Sequence, residues 1–459
     1  MRFGAVLISL ILLSCTAHNP RAQEPVIQFP PGFRWCVATS SHQIEGNNQN
    51  SDWWDWEQIP GKIRNGEKSG EACDHWNHLD EDVGHLKELH VHQYRFSVEW
   101  AKLEPQPGVW DMKAVQHYRE ELHLLRQAGI EPMITLHHFT FPRWVREKGG
   151  WEWEGIAAAF GRFTGFVFSE IGPEVRDWIT VNEPMVHLAA GYLSGATPPG
   201  QKRELKGMIA PLRGLLRAHA VAYHELHRLA DLTKATPVRV GMAHHLRIFD
   251  PNWAWSPLDI AFAYWLDQAF NWALSESLES GRLQISMPFT LNVNEEVPEL
   301  KNTQDFFGIN YYSRDMVSFS ISSPTGFELR VNGNSEKNDM GWEIYPEGFY
   351  RILKAVAQHF PGKPILVTEN GLADSTDHQR EKFLRDHLEA MAQAIQEGVP
   401  VEGYCHWSLM DNFEWTDGFS PRFGLFEVNY LTQSRVLRPS GRFFSDVAKV
   451  NSFINSNRE

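Results

Sequence analysis

PILVTENG, residues 364–371, sets an apolar run, Ile365, Leu366 and Val367, almost directly before a carboxylate at Glu369. A short apolar, β-branched run bounded by Pro and Gly reads as a buried strand. An ionised carboxylate inside a core costs several kcal/mol unless something compensates it. Glu369 therefore either points into water or is held at the strand's end for chemistry.

Seven other runs have the same character: FRWCVATSS, VHQYRFSV, IEPMITLHHF, DWITVNEP, VRVGMAHHL, FFGINYY and VEGYCHWSL. Each is short and unsuited to a sheet with one wet face. Between them lie segments with helical spacing. In VQHYREELHLLRQAGI, the residues Val115, Tyr118, Leu122 and Leu125 share one face, and Gly129 stands where a helix would end. DHLEAMAQAIQEG closes in the same way on Gly398. Strands alternating with helices mean parallel strands, and eight such units predict a single α/β domain, a (β/α)8 barrel with long βα insertions, notably over 39–90 and 313–363. In this architecture the active site lies at the C-terminal ends of the strands. The predicted strands end in Gln43 and Glu45, Arg95, His137 and His138, Asn182 and Glu183, His244 and His245, Asn310 and Tyr312, Glu369 and Asn370, and Trp407. Polar groups from every strand would converge on one mouth.

The chain's 459 residues, with no break in composition after Pro30, read as one domain over 30–452 with a polar tail at 453–459. Net charge is −14, and no basic stripe suits a nucleic-acid partner. MRFGAVLISLILLSC opens the chain with one Arg and an apolar stretch too short to span a bilayer as a mature helix. It reads as an export signal over 1–14. The LLSC ending resembles a bacterial lipobox, with Cys15 as the lipidated residue and 15–29 as a tether. Localisation is thus expected in the periplasm or cell envelope, with membrane contact only through that anchor. Cys36, Cys73 and Cys405 allow at most one internal disulfide, and Cys36 and Cys405 read as buried thiols in strand-like runs. No Cys-x-x-Cys pair exists, and the His137–His138 doublet lacks further ligands at familiar spacing, so neither metal nor cofactor is expected.

Glu183 in VNEP and Glu369 in TENG each follow an apolar strand, on predicted strands four and seven. Two carboxylates facing across a cavity are the equipment for glycoside hydrolysis. WITVNEP and ILVTENG, with HQIEG, YRFSVEW, GINYY, DMGWEIYPEG and HWSLMDNFEW, resemble glycoside hydrolase family 1, the β-glucosidase family, in order and over nearly all of the chain after Pro30. The resemblance implies a barrel that hydrolyses β-linked sugars with retention. It implies Glu369 as nucleophile, Glu183 as acid/base, and Asn182 as partner of the sugar 2-hydroxyl. It also implies that Arg95 and Tyr312 hold the nucleophile, and that Gln43, His138, Trp407, Glu414 and Trp415 clamp the terminal sugar. Asn310 joins the substrate-binding set. Trp342 reads equally as a cavity wall on the leaving-group side or as core. His137 and His245 read as structural.

Three places depart from the family pattern. His138-Phe139-Thr140-Phe141-Pro142 stands for His-Trp-Asp-Leu-Pro, the C-terminal motif ends Val428-Asn429 rather than Val-Asp, and KRELKGMIAPLRG is unusual. They bear on subsite shape and leave the catalytic groups in place. The expectation is an exported β-glycosidase, most simply a β-glucosidase, acting on β-linked oligosaccharides or aryl and alkyl β-glycosides. A noncatalytic sugar-binding barrel and a 6-phospho-β-glycosidase are the alternatives. The first would be favoured by a lost glutamate, and the second is disfavoured by the carboxylate of Glu414.

Overall fold

The computed structural model describes residues 26–454 except 288, 289 and 324. The expected signal over 1–14 and Cys15 lie outside the described residues. Eight parallel strands close into a barrel: β1 (Arg34–Ala38), β2 (Gln93–Ser97), β3 (Glu131–His137), β4 (Asp177–Asn182), β5 (Arg239–His245), β6 (Phe307–Tyr311), β7 (Ile365–Asn370) and β8 (Val401–Trp407). Their spatial order is their chain order, and β8 pairs with β1 to close the ring. Met133, Ile179, Ala243, Phe306 and Leu366 pack together as one buried cluster. The helices bury their apolar faces against the outside of the strands. In the helix Met112–Gln127, Asp111 Oδ1 accepts from the Lys113 amide at 2.8 Å, while Val115, Tyr118, Leu122 and Leu125 are buried. Gly129 and Gly398 follow their helices with φ of +72° and +90°, the left-handed geometry that glycine adopts without strain.

The structure corrects the domain edges. Val26–Gln28, assigned from sequence to the tether, pairs antiparallel with Ser452–Ile454. Ile27, Phe29 and Phe453 are buried there, so the folded unit starts before residue 30 and extends past 452. Alternation over so few residues is too weak a signal to mark a strand.

Cys36 and Cys405 are not free thiols. They form a disulfide with Cα atoms 4.1 Å apart. They are direct register partners on β1 and β8, a neighbour relation created only when the barrel closes. Cys73 stays a buried thiol and donates to the Asp411 carbonyl at 3.0 Å.

Long segments follow β1 and β6 as expected. Another long segment, between β5 and β6, was not singled out from sequence. It carries a strand Ile248–Pro251, a helix Pro257–Leu266 and a hairpin of Arg282–Met287 with Leu291–Glu296.

Candidate active site

The C-terminal ends of the strands surround a cavity of about 200 Å³. His138, Asn182, Glu183, Tyr312, Trp342, Glu369, Trp407, Glu414 and Trp415 from the sequence reading all line it. Glu183 and Glu369 thus share one chamber, as β4 and β7 require.

Glu369, at 3% exposure, is the penultimate residue of β7. Its Oε1 accepts from Arg95 Nη1 at 2.6 Å and its Oε2 from the Tyr312 hydroxyl at 2.7 Å. Arg95 is fully buried on β2 and spends its other donors on the Thr368 carbonyl at 2.9 Å and Asn182 Oδ1 at 2.6 Å. One guanidinium therefore fixes the position of Glu369 relative to Asn182. Charge-assisted bonds of this kind favour the ionised carboxylate. Burial and the nearby carboxylate hold the Tyr312 phenol well above its ordinary range, so it remains a donor.

Glu183 follows β4 with φ of +43°, directly before the helix Pro184–Leu188. Phe139 and Trp415 also line the cavity with positive φ, at +71° and +50°. Non-glycine residues in this region carry strain that clusters at functional sites. Glu183 Oε1 accepts from Asn310 Nδ2 at 2.9 Å and contacts His245 Nδ1 at 2.9 Å.

Two interacting acids in one chamber titrate as a pair. Burial lifts Glu369 to about 7, against the pull of Arg95. Burial would raise Glu183 too, but the charge on His245 and its hydrogen bond, aided by Asn310, bring it below the usual carboxylate value. Glu369 is held by a guanidinium and a phenol, whereas Glu183 is held by an amide and an imidazole.

His138 lies between Trp407 and Trp415, its ring within 19° and 13° of their planes. Burial, then Arg95, holds it neutral. Its Nε2 lies 3.1 Å from Asn182 Nδ2, a site where the amide donates to the ring. Trp342 packs edge-on against Tyr312 at 5.9 Å, lines the cavity and also packs against the buried cluster around Trp407 and Phe423. Burial and the charges of Glu369, Asp417 and Glu183 push Glu414 up to about 8.

Gln43 and Asn310, both expected to contact the sugar, are bonded directly to residues of the cavity lining. Gln43 is fully buried, and its amide donates to Asn412 Oδ1 at 2.9 Å, the Phe413 carbonyl at 3.0 Å and Glu414 Oε2 at 3.2 Å. It positions Glu414. Asn310, also fully buried, bridges Asn182 Oδ1 and Glu183 Oε1.

His137 points away from the cavity, in contact with Phe141 and Trp151, in keeping with a structural reading. His245, expected to be structural, lines the cavity. Its ring lies 18° from coplanar with Tyr312 and touches Glu183. The polar doublet at the end of VRVGMAHHL was the available signal, but which histidine faces inward depends on strand twist. Val186, Arg247 and Phe423 also line the cavity without having been singled out. Among the described residues no group of three or more His, Cys, Asp or Glu is placed to hold a metal ion.

A closed parallel barrel with paired acids at its C-terminal mouth defines a glycosidase-type site. The chain belongs to glycosyl hydrolase family 1, whose profile matches residues 26–453. It is accordingly an O-glycosyl hydrolase. It is 35% identical over 450 residues to a 1,4-beta-D-glucan glucohydrolase of Thermotoga neapolitana, covering 92% of this chain and 99% of that one. It is 34% identical over 448 residues to Beta-glucosidase A of Thermotoga maritima, covering 93% and 99%. The solved structure of a Thermotoga maritima beta-glucosidase in complex with castanospermine superposes with a TM-score of 0.85 at 34% identity, covering 93% of this chain and 99% of that one.

Proposed function

We propose that the protein is a retaining β-glycosidase, and specifically a β-glucosidase, that removes terminal non-reducing β-D-glucosyl residues by double displacement. The observation that carries this reading is the unequal support of the paired acids. Glu369 is gripped by a permanent cation and a phenol. Glu183 has only an amide and a titratable ring. The names of the relatives at 35% and 34% identity support glucose as the sugar.

In the first displacement a Glu369 carboxylate oxygen bonds to the anomeric carbon. The bond from that carbon to the leaving oxygen breaks, and Glu183 delivers its proton to that oxygen. In the second, Glu183 takes a proton from water, the water oxygen bonds to the anomeric carbon, and the ester to Glu369 breaks. Two inversions leave the configuration retained. Asn182, held by Arg95, is placed for the sugar 2-hydroxyl, a contact that strengthens as charge develops at the ring. Glu414 accepts two hydroxyl hydrogen bonds once ionised, and the indole of Trp407 lies beneath the sugar ring.

Replacing Glu369 with Gly should lower kcat for an aryl β-glucoside by about 10⁴–10⁶-fold. Azide should then restore turnover and give the α-glucosyl azide. Full activity in that variant would overturn the assignment. Glu183→Ala should spare substrates with acidic leaving groups and cripple the rest.

Export and lipidation at Cys15 belong to the same proposal. They are supported by the opening apolar run and by the Cys36–Cys405 disulfide, a bond favoured in oxidising compartments. Mass analysis of the mature protein should find a diacylated N-terminal Cys15. An intact Met1 would sink this part.

A further inference from the structure

Beyond the sugar cavity lies a second one, of about 400 Å³, which shares Val186 and Arg247 with it as common wall. Its lining includes Leu193, Leu212, Phe249, Phe270, Met287 and Phe327. Two widened π-helical turns, Ala189–Ser194 and Asp267–Trp272, contribute to the wall. Such turns recur at functional sites. The charges on the wall neutralise each other: Arg247 Nε pairs with Asp315 Oδ2 at 2.9 Å. The backbone of Arg247 is clamped by Asn271, whose Nδ2 donates to its carbonyl at 2.7 Å and whose Oδ1 accepts from its amide at 3.1 Å. The guanidinium is thus committed to a carboxylate, and its aliphatic stem continues the apolar wall. A second sugar needs several convergent donors and acceptors, which this chamber does not supply. The volume falls within the roughly 300–1,000 Å³ range of small-molecule sites.

We infer that this cavity is an aglycone site, and that the enzyme's substrates are β-glucosides of long apolar alcohols rather than oligosaccharides. The inference rests on the β-glucosidase reading and adds the leaving-group class. The glucose ring occupies the acidic chamber, the scissile oxygen lies near Glu183, and the apolar tail passes Val186 and Arg247 into the second chamber. Each methylene withdrawn from water multiplies affinity about fourfold.

The test compares methyl, butyl and octyl β-D-glucoside with cellobiose. In the native enzyme kcat/KM should rise at least tenfold from methyl to octyl and exceed that for cellobiose. Ala269→Trp, which fills the chamber, and Leu193→Arg, at a half-buried wall position, should each cut the octyl-to-methyl ratio at least fivefold. Equal kcat/KM along the series, or a ratio unchanged in both variants, would overturn the inference while leaving the β-glucosidase reading intact. Calorimetric binding of octyl and methyl β-thioglucosides, which resist cleavage, separates the two ideas. Tighter octyl binding with no hydrolysis of any glucoside would sink the proposed function and uphold the cavity as an apolar-tail site. Equal binding of the two thioglucosides would sink the cavity assignment.

Discussion

The two ends of the barrel bury carboxylates in opposite ways. At the N-terminal end, Asp177 on β4 accepts from Arg239 Nε at 2.8 Å and Gln93 Nε2 at 2.9 Å, and pairs with Arg34 at 2.5 Å. Arg34 and Arg239 also reach Glu402 on β8, at 3.0 and 2.7 Å. Two acids meet two cations. Burial would raise Asp177, but Arg239 and Arg34 outweigh it and hold it below the ordinary carboxylate range. At the C-terminal mouth, Glu183, Glu369 and Glu414 share Arg95, since the lining Arg247 is paired with Asp315, and burial pushes Glu369 to about 7 and Glu414 to about 8. The floor is neutralised and ties strands together. The mouth is left short of positive charge, and Glu369 and Glu414 hold protons more tightly there than free carboxylates do. Stability and chemistry thus occupy opposite ends of the same strands.

The largest contrast comes from removing one acid at each end. Glu369→Gly should abolish turnover, and because it leaves the fully buried Arg95 without its carboxylate it should lower the urea midpoint as well. Asp177→Ala should touch stability alone. It leaves the half-buried guanidinium groups of Arg34 and Arg239 with Glu402 as their shared acid and should cost about 1–3 kcal/mol in urea unfolding. The folded fraction should keep its kcat. A catalytic loss in Asp177→Ala at full folding would break the comparison.

A smaller effect concerns the proton at Glu183. His245 lowers the affinity of Glu183 for its proton, so His245→Phe should raise it. The basic limb of kcat/KM, where the acid form is lost, should move to higher pH, by up to about one unit. An unmoved limb would show that His245 has no part in tuning the acid.

The smallest effect is on stability. The pKa of Glu414 is raised on folding, so its contribution is complete below the unfolded carboxyl value and is lost as pH climbs toward about 8. Glu414→Gln should therefore melt a few degrees higher than the native protein near pH 8, and the gain should vanish near pH 4. The same variant should lose kcat/KM through its missing sugar contact. An equal melting shift at both pH values would mean that charge is not the cause.

The site was legible from sequence as far as its chemistry is local. A run such as ILVT fixes a strand, and the residue after it lies at the strand's C-terminal end. That placed Arg95, Asn182, Glu183, Tyr312 and Glu369 around one mouth, as the structure has them. Partners and facing were less legible. Gln43 bonds Glu414, Asn310 bonds Glu183, and His245 rather than His244 meets Glu183. His244 instead contacts Gln304. Adjacent residues on a strand face opposite ways, and only the barrel's twist selects which looks inward.

By itself, then, the sequence determined the eight strands, their parallel order and the acids at their ends, because hydrophobic period and strand-end position are properties of short windows. The tertiary structure alone decided the Cys36–Cys405 bond, the pairing of strands at residues 26–28 and 452–454, and the apolar chamber behind Val186 and Arg247. Each joins residues far apart in the chain, up to 428 positions for Val26 and Ile454. Such contacts come into being only when the ring of strands closes and sets the register.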